Sequence, residues 1–156
     1  MAKCGYTVNT EGEVTLSAAT AKTILGVKAG ANVGLDLRGF EVDFDGVTAA
    51  NEPVLIEICY ATWATNAPAT NSTNITELQL YGRVITPDFV GAKNWTAEPT
   101  VLTVLWPLTL DPNKGLFEWE WEDNKSPDCA VNEGFAIRCT APQTVNPRAR
   151  MRLEHT

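Results

Sequence analysis

The run Leu35-Asp-Leu-Arg-Gly-Phe-Glu-Val-Asp-Phe-Asp45 (LDLRGFEVDFD) decides the fold class. Phe40, Val42 and Phe44 share one alternation while Glu41, Asp43 and Asp45 share the other, which is the period of a strand with one dry and one wet face. Leu35 and Leu37 are apolar on odd positions, whereas Phe40, Val42 and Phe44 are apolar on even ones. The phase therefore flips across Gly39, and a glycine at a flip predicts a bulge or bend.

The same period recurs on both sides of this strand. In Gly115-Leu-Phe-Glu-Trp-Glu-Trp-Glu-Asp123 the apolar Phe117, Trp119 and Trp121 alternate with Glu118, Glu120 and Glu122. Near the C-terminus Pro147, Ala149, Met151 and Leu153 alternate with Arg148, Arg150 and Arg152, and Pro147 suits an edge or strand start because it cannot donate a ladder hydrogen bond. The segment 53–64 (PVLIEICYATWA) is apolar on both alternations apart from Glu57 and reads as a strand covered on both faces, in the middle of the core. Further strands are predicted at 14–18, 22–27, 78–84, 101–106 and 134–140, with turn chemistry at 28–32 and 111–115. Residues 17–24 are the only passable helix, and their threonines and short length argue against it. Two long loops, 65–77 and 87–99, are expected on the surface, and the first, polar and uncharged before Glu77, is expected to be mobile. About eight short strands with little helix predict an all-β, single-domain antiparallel β-sandwich of jelly-roll type. Residues 13–154 form the expected domain, 1–12 an arm or tail and 155–156 a frayed end.

The 156-residue length is enough for one hydrophobic core and short for two. Twelve Lys and Arg against 19 Asp and Glu leave a net charge of -7, which disfavours contact with phosphate backbones, so nucleic acid is not an expected partner. No apolar run approaches the roughly 18 residues of a membrane span. The polar opening MAKCGYTVNTEGEV lacks a signal-peptide core, so the chain is expected to be made in a cytoplasm and to stay off membranes. In that setting Cys4, Cys59, Cys129 and Cys139 are expected as free thiols, and Cys129–Cys139 is the bridge to test first. Asn71, Asn74 and Asn94 head glycosylation sequons and read as loop polarity in a chain that is not secreted.

Little in the sequence supports turnover. There is no G-x-S-x-G, P-loop, G-x-G-x-x-G or H-E-x-x-H, and the one histidine, His155, lies next to the last residue. Cys59 sits in the most apolar strand without a base to activate it. Carboxylates two apart on one strand face lie about 6.5–7 Å apart on one side, whereas a glycosidase pair flanks the scissile bond. Asp43 and Asp45 are weak candidates for a cation site, lacking EF-hand spacing. No cofactor is implied. The glutamate row 118, 120, 122 and the arginine row 148, 150, 152 share a spacing, so they are expected to pair across neighbouring strands or a subunit boundary.

Several phrases carry a resemblance: AATAKTILGVKAG (18–30), FEVDFDGVTAANEPVLIEI (40–58), AKNWTAEPT (92–100) and GFAIRCTAPQTVNPRARMRLE (134–154). Spread over most of the chain, they resemble small phage-encoded virion proteins of the jelly-roll kind. The resemblance implies a capsid decoration or cement protein, a homotrimer on the outside of the head that clamps neighbouring capsomers of the major capsid protein. It implies interface residues rather than catalytic ones, with Glu118, Glu120, Glu122, Arg148, Arg150, Arg152, Lys3 and Tyr6 as candidates. The four cysteines, the long 65–77 loop and the FEWEWE strand depart from the simplest form. A carbohydrate-binding or receptor-binding module of a tail or fibre is the alternative. It would require two or three coplanar exposed aromatics, with Trp119 and Trp121 or the loop tryptophans as platform.

Overall fold

The computed structural model describes residues 4–45 and 52–156. They form an antiparallel β-sandwich of twelve strands, and no helix occurs among the described residues. The first sheet runs β10 (Asp128–Cys129), β3 (Leu35–Phe44), β12 (Pro147–His155), β1 (Gly5–Asn9), β6 (Leu78–Tyr81), with β9 (Phe117–Glu120) also pairing β3. The second runs β5 (Thr73–Asn74), β7 (Phe89–Lys93), β2 (Lys22–Ala29), β11 (Gly134–Thr140), β4 (Val54–Ala61), β8 (Leu102–Leu110).

The pairing is nested. β1 pairs β12, β2 pairs β11, β3 pairs β9 and β4 pairs β8, all antiparallel. The chain thus folds as one long ribbon whose rungs fall alternately in the first and second sheet. Four short strands, β5, β6, β7 and β10, lie outside this scheme; β6 falls in the predicted strand 78–84, and the two-residue β5 and β10 are too brief to leave an alternation in the sequence. Three of them, β5, β6 and β7, belong to the excursion between β4 and β8.

The core lies between the sheets. Tyr6 and Val8 of β1, Leu35, Leu37, Phe40 and Val42 of β3, and Met151 and Leu153 of β12 meet Leu25 and Val27, Ile56 and Ile58, and Phe135 and Ile137 from the second sheet. The predicted bulge is present in β3. Arg152 is opposite Gly39 and Leu153 opposite Leu37, so Arg38 is the extra residue that resets the phase. The bulge also separates the outer partners of β3, with β10 pairing Leu35 and Asp36 before it and β9 pairing Gly39 to Val42 after it.

Three expectations give way. Instead of an arm, residues 5–9 form β1, hydrogen-bonded on both sides by β12 and β6, because Tyr6 and Val8 supply apolar surface to the core. His155 ends β12 rather than fraying. Its ring packs on Tyr6 at 4.7 Å and edge-on to Phe89, and its Nε2 accepts the Asp88 N–H at 3.4 Å. The 65–77 loop lies on the surface as expected, with Thr65, Thr70, Asn71 and Thr76 exposed, and it forms a lid on the outer face of the second sheet. There Gly26, Cys59, Ala61, Ala92 and Ala136 make a shallow floor, and the indoles of Trp63 and Trp95 lie on it, stacked at 5.8 Å and 14°. Trp63 Nε1 donates to the Val27 carbonyl and Trp95 Nε1 to that of Asn66, so both polar handles are satisfied inside the lid. Residues 14–18, predicted as a strand, form no named strand and contribute the bridge of Leu16 with Val145 and a hydrogen bond from the Val14 N–H to the Pro147 carbonyl.

All four cysteines are free and buried. The pair singled out for a bridge is divided between sheets, Cys129 on β10 and Cys139 on β11. Burial pushes the thiols of Cys59 and Cys129 up to about 11 and that of Cys139 higher still, which suppresses the reactive thiolate. Folded protein at pH 8 is therefore expected to leave Cys59, Cys129 and Cys139 unmodified by a thiol reagent, and urea to release them. Rapid modification of any of these in the native state would contradict the packing.

Candidate interaction surface

Two surfaces carry the residues of interest. The first is the outer, wet face of the first sheet, where the basic and acidic rows meet within one chain. The register sets Arg148 opposite Asp43, Arg150 opposite Glu41 and Arg152 opposite Gly39, while on the other side of β3 Glu41 faces Glu118 and Gly39 faces Glu120. Glycine at position 39 leaves a gap in the middle row. An added Cβ there would lie 2.7 Å from the Trp119 carbonyl and 3.7 Å from Arg152 Nε, so the arginine crosses over bare backbone to the far strand. Its guanidinium contacts Glu118, Glu41 at 3.2 Å and Glu120 at 3.3 Å. Arg150 pairs with Glu41 at 3.1 Å and Arg148 with Glu13 at 3.3 Å.

The rows thus serve register. Glu41 and Glu118, like charges directly opposite, would oppose the β3–β9 pairing, and Arg152 offsets them. Glu122 lies past the end of β9 and pairs with Lys125 across the following turn. Tyr6, taken as an interface candidate, is fully buried beneath this sheet, and Lys3 lies outside the described residues. Asp45 accepts a hydrogen bond from Asn146 Nδ2 at 2.8 Å, and no group of three metal-ligating side chains occurs among the described residues. A polar groove of about 330 Å³ lies on this face between Asn9, Thr10, Asp43 and Arg148.

The second surface is apolar and closes one side of the sandwich, where β9 of the first sheet and β8 of the second run side by side. Phe40, Trp106, Phe117, Trp119 and Trp121 fill this seam, with Trp106 edge-on to Phe40 at 5.9 Å and to Trp119 at 4.6 Å and 90°. The FEWEWE alternation packs Phe117 and Trp121 against Phe40 as the sequence predicts, yet Trp119, edge-on to Trp106, keeps 41% of its surface. Along β8 and the residue that leads into it, Val101, Val104 and Leu105 are exposed at 58%, 38% and 46%. Sequence periodicity missed this surface because β8 is apolar at nearly every position, and such a run reads as buried. The one signal was Pro107, which belongs on an edge.

The tryptophans make no coplanar exposed pair among the described residues. The stacked pair, Trp63 and Trp95, is buried, and the exposed Trp119 stands perpendicular to its neighbour. Comparison with known proteins finds no matching family model and no curated protein of similar sequence.

His155, packed against Tyr6 and Phe89, gives the fold a pH dependence. Burial lowers its pKa below the usual 6.5, opposed by the Asp88 carboxylate, so the folded state favours neutral imidazole. The resulting stability is complete above the unfolded pKa and is lost as pH falls through 6.5 towards the lower folded value. Urea midpoints compared at pH 7.5 and 5.5 are expected to fall more for the native chain than for His155→Gln; equal falls would remove the contribution.

Proposed function

We propose that the chain is a structural subunit of a phage virion, a jelly roll that decorates the outside of the head and holds neighbouring capsomers together. The observation that carries this reading is the nested antiparallel pairing β1·β12, β2·β11, β3·β9 and β4·β8, which supports a jelly-roll winding of the kind that the resemblance implies. The disposition of side chains supports it. The arginines of β12 are engaged with carboxylates and the tryptophans in packing, and exposed apolar side chains lie along the strands β6 and β8. Such a surface suits an assembly in which one weak contact is repeated many times. The partners are then further copies of the chain, a homotrimer being the form the resemblance implies, and the major capsid protein. Neither a membrane nor nucleic acid belongs to this reading, nor does catalysis. The protein would be made in the host cytoplasm and reside on the head surface.

The test is direct. Purified protein is mixed with undecorated heads and imaged. Saturable occupancy at symmetry-related positions is the expected result, and absence of binding to any head would overturn the proposal.

A further inference from the structure

β8 poses a problem that the rest of the sandwich avoids. Of the strands that end or flank the two sheets, β5 and β10 have two residues and β6 and β9 four, so each exposes only a few ladder groups. β8 has nine residues and pairs only β4, and among the described residues no backbone hydrogen bond outside that ladder involves 102–110. A row of free N–H and C=O groups selects its occupant by chemistry: an extended strand satisfies it, and a lipid, sugar or compact anion does not. Natural edges are guarded by charge, by proline or by a bulge, and of these β8 carries Pro107, which leaves one gap in the row of donors, and the bulge at Leu105. The stretch from Val101 to Leu110 (VLTVLWPLTL) contains no charged residue in a chain of net charge -7. Val101, which leads into the strand, is held at φ 61 although it is β-branched, a strained conformation that persists where surrounding structure fixes it.

We infer that β8 pairs antiparallel with β8 of a second copy of this chain across a twofold axis. Two features argue for a copy rather than a foreign strand. Like chains of this charge repel, and this uncharged edge lets nine residues of each approach without a single like-charge pair. The faces of β8 also match their own reversal. Trp106, Leu108 and Leu110 pack towards the core, Leu102 towards the lid, and Leu105 is the bulge residue between Val104, opposite Cys59, and Trp106, opposite Ile58. Counting the bulge as one step, the alternation reads out, in, out before it and in, out, in, out, in after it. A twofold centred on Trp106 keeps like faces together: Trp106 meets Trp106, Pro107 meets Val104, Leu108 meets Thr103 and Thr109 meets Leu102. The aromatic seam of each copy then continues into the other, covering Trp119. The contact closes on itself, because an isologous pair leaves no free β8 edge to propagate. By itself it makes a dimer, and it would join two trimers if a threefold contact exists elsewhere.

The pairing goes beyond the virion role and does not depend on it. Sedimentation of the native chain from roughly 1 to 300 µM, the range in which a small interface populates, is expected to reveal association in multiples of two. Amides of 102–110 are expected to gain exchange protection as concentration rises. Val104→Lys and Thr109→Lys, each first checked for native circular dichroism, are expected to weaken association by more than about tenfold, whereas Leu80→Lys on β6 leaves it unchanged. If Val104→Lys does not fold, Thr109→Lys on the other side of the bulge decides. Mass and exchange that do not vary with concentration would overturn the pairing. So would dissociation by Leu80→Lys equal to that by the β8 variants, or protection of β8 that develops only on heads. A chain that pairs yet ignores heads would sink the virion role alone.

Discussion

Replacing Trp95 with alanine is expected to lower the unfolding free energy by about 3–5 kcal/mol, as much as deleting an aromatic from the central core. The residue lies on the outer face of a sheet, where a surface loop would ordinarily tolerate change. Its indole is 1% exposed, lies on the floor built around Gly26 and Ala92, and stacks on Trp63. Truncation removes the ring and exposes the floor, leaves the Asn66 carbonyl without its donor, and strips Trp63 of its partner. The flanks of the lid are held separately, by the contact of Thr65 Oγ1 with Thr100 Oγ1 and by the pairing of β5 with β7. Asn66 Nδ2 donates to the Glu98 carbonyl, Asn71 Nδ2 to Asn66 Oδ1, and the Thr96 N–H to the Asn71 carbonyl, and all three depend on the segment that Trp95 pins. Two measurements check this. Urea unfolding gives the total loss, and hydrogen exchange is expected to show residues 66–72 losing protection well before β12 does. A loss under about 1 kcal/mol, or uniform loss of protection, would mean that the lid is not a separate packed layer.

That lid also marks where the sequence stops being legible. LDLRGFEVDFD contained its own answer, since an alternation and its phase flip are local facts and the bulge at Arg38 follows from them. FEWEWE and PRARMRLE were legible as strands for the same reason, but their equal spacing did not make them neighbours: β3 lies between them, and of the three arginines Arg152 alone reaches Glu118 and Glu120. Residues 65–77 offered no period. Their order comes from two tryptophans outside the segment or at its margin and from small residues scattered over β2, β4, β7 and β11, a juxtaposition that exists only after the sheet has formed. The N-terminus failed for a related reason. GYTVN is short and its polar neighbours resemble a tail, yet two buried side chains and ladders on both sides hold it in place. His155 was misjudged by position alone, since proximity to a terminus says nothing about whether a strand continues to the last turn of the chain.

Arg152 is the charged residue whose loss should cost most. Arg152→Ala is expected to destabilise by about 2 kcal/mol, between the small worth of an exposed pair and the larger cost of breaking a buried one. The residue is intermediate in burial, with its side chain 24% exposed and that of Glu41 14% exposed, so neither limit applies. Its removal leaves Glu41 directly opposite Glu118, with Glu120 beside them, and only Arg150 remains within reach of Glu41. Repulsion of this kind is screened by ions, so the deficit is expected to narrow between 0.05 and 0.5 M salt, by rough estimate from the shrinking Debye length. Arg152→Lys keeps the charge but not the planar fork that reaches three carboxylates, and an intermediate loss is expected. Adding Glu118→Gln to Arg152→Ala should recover part of the stability, since the double variant no longer sets two carboxylates face to face. A non-additive recovery would place the energy in the β12–β3–β9 ladder, whereas strict additivity with no salt dependence would show that Arg152 acts through the packing of its aliphatic stem over Gly39. The two outcomes separate charge from contact at a position where a bare glycine lets one side chain bridge three strands.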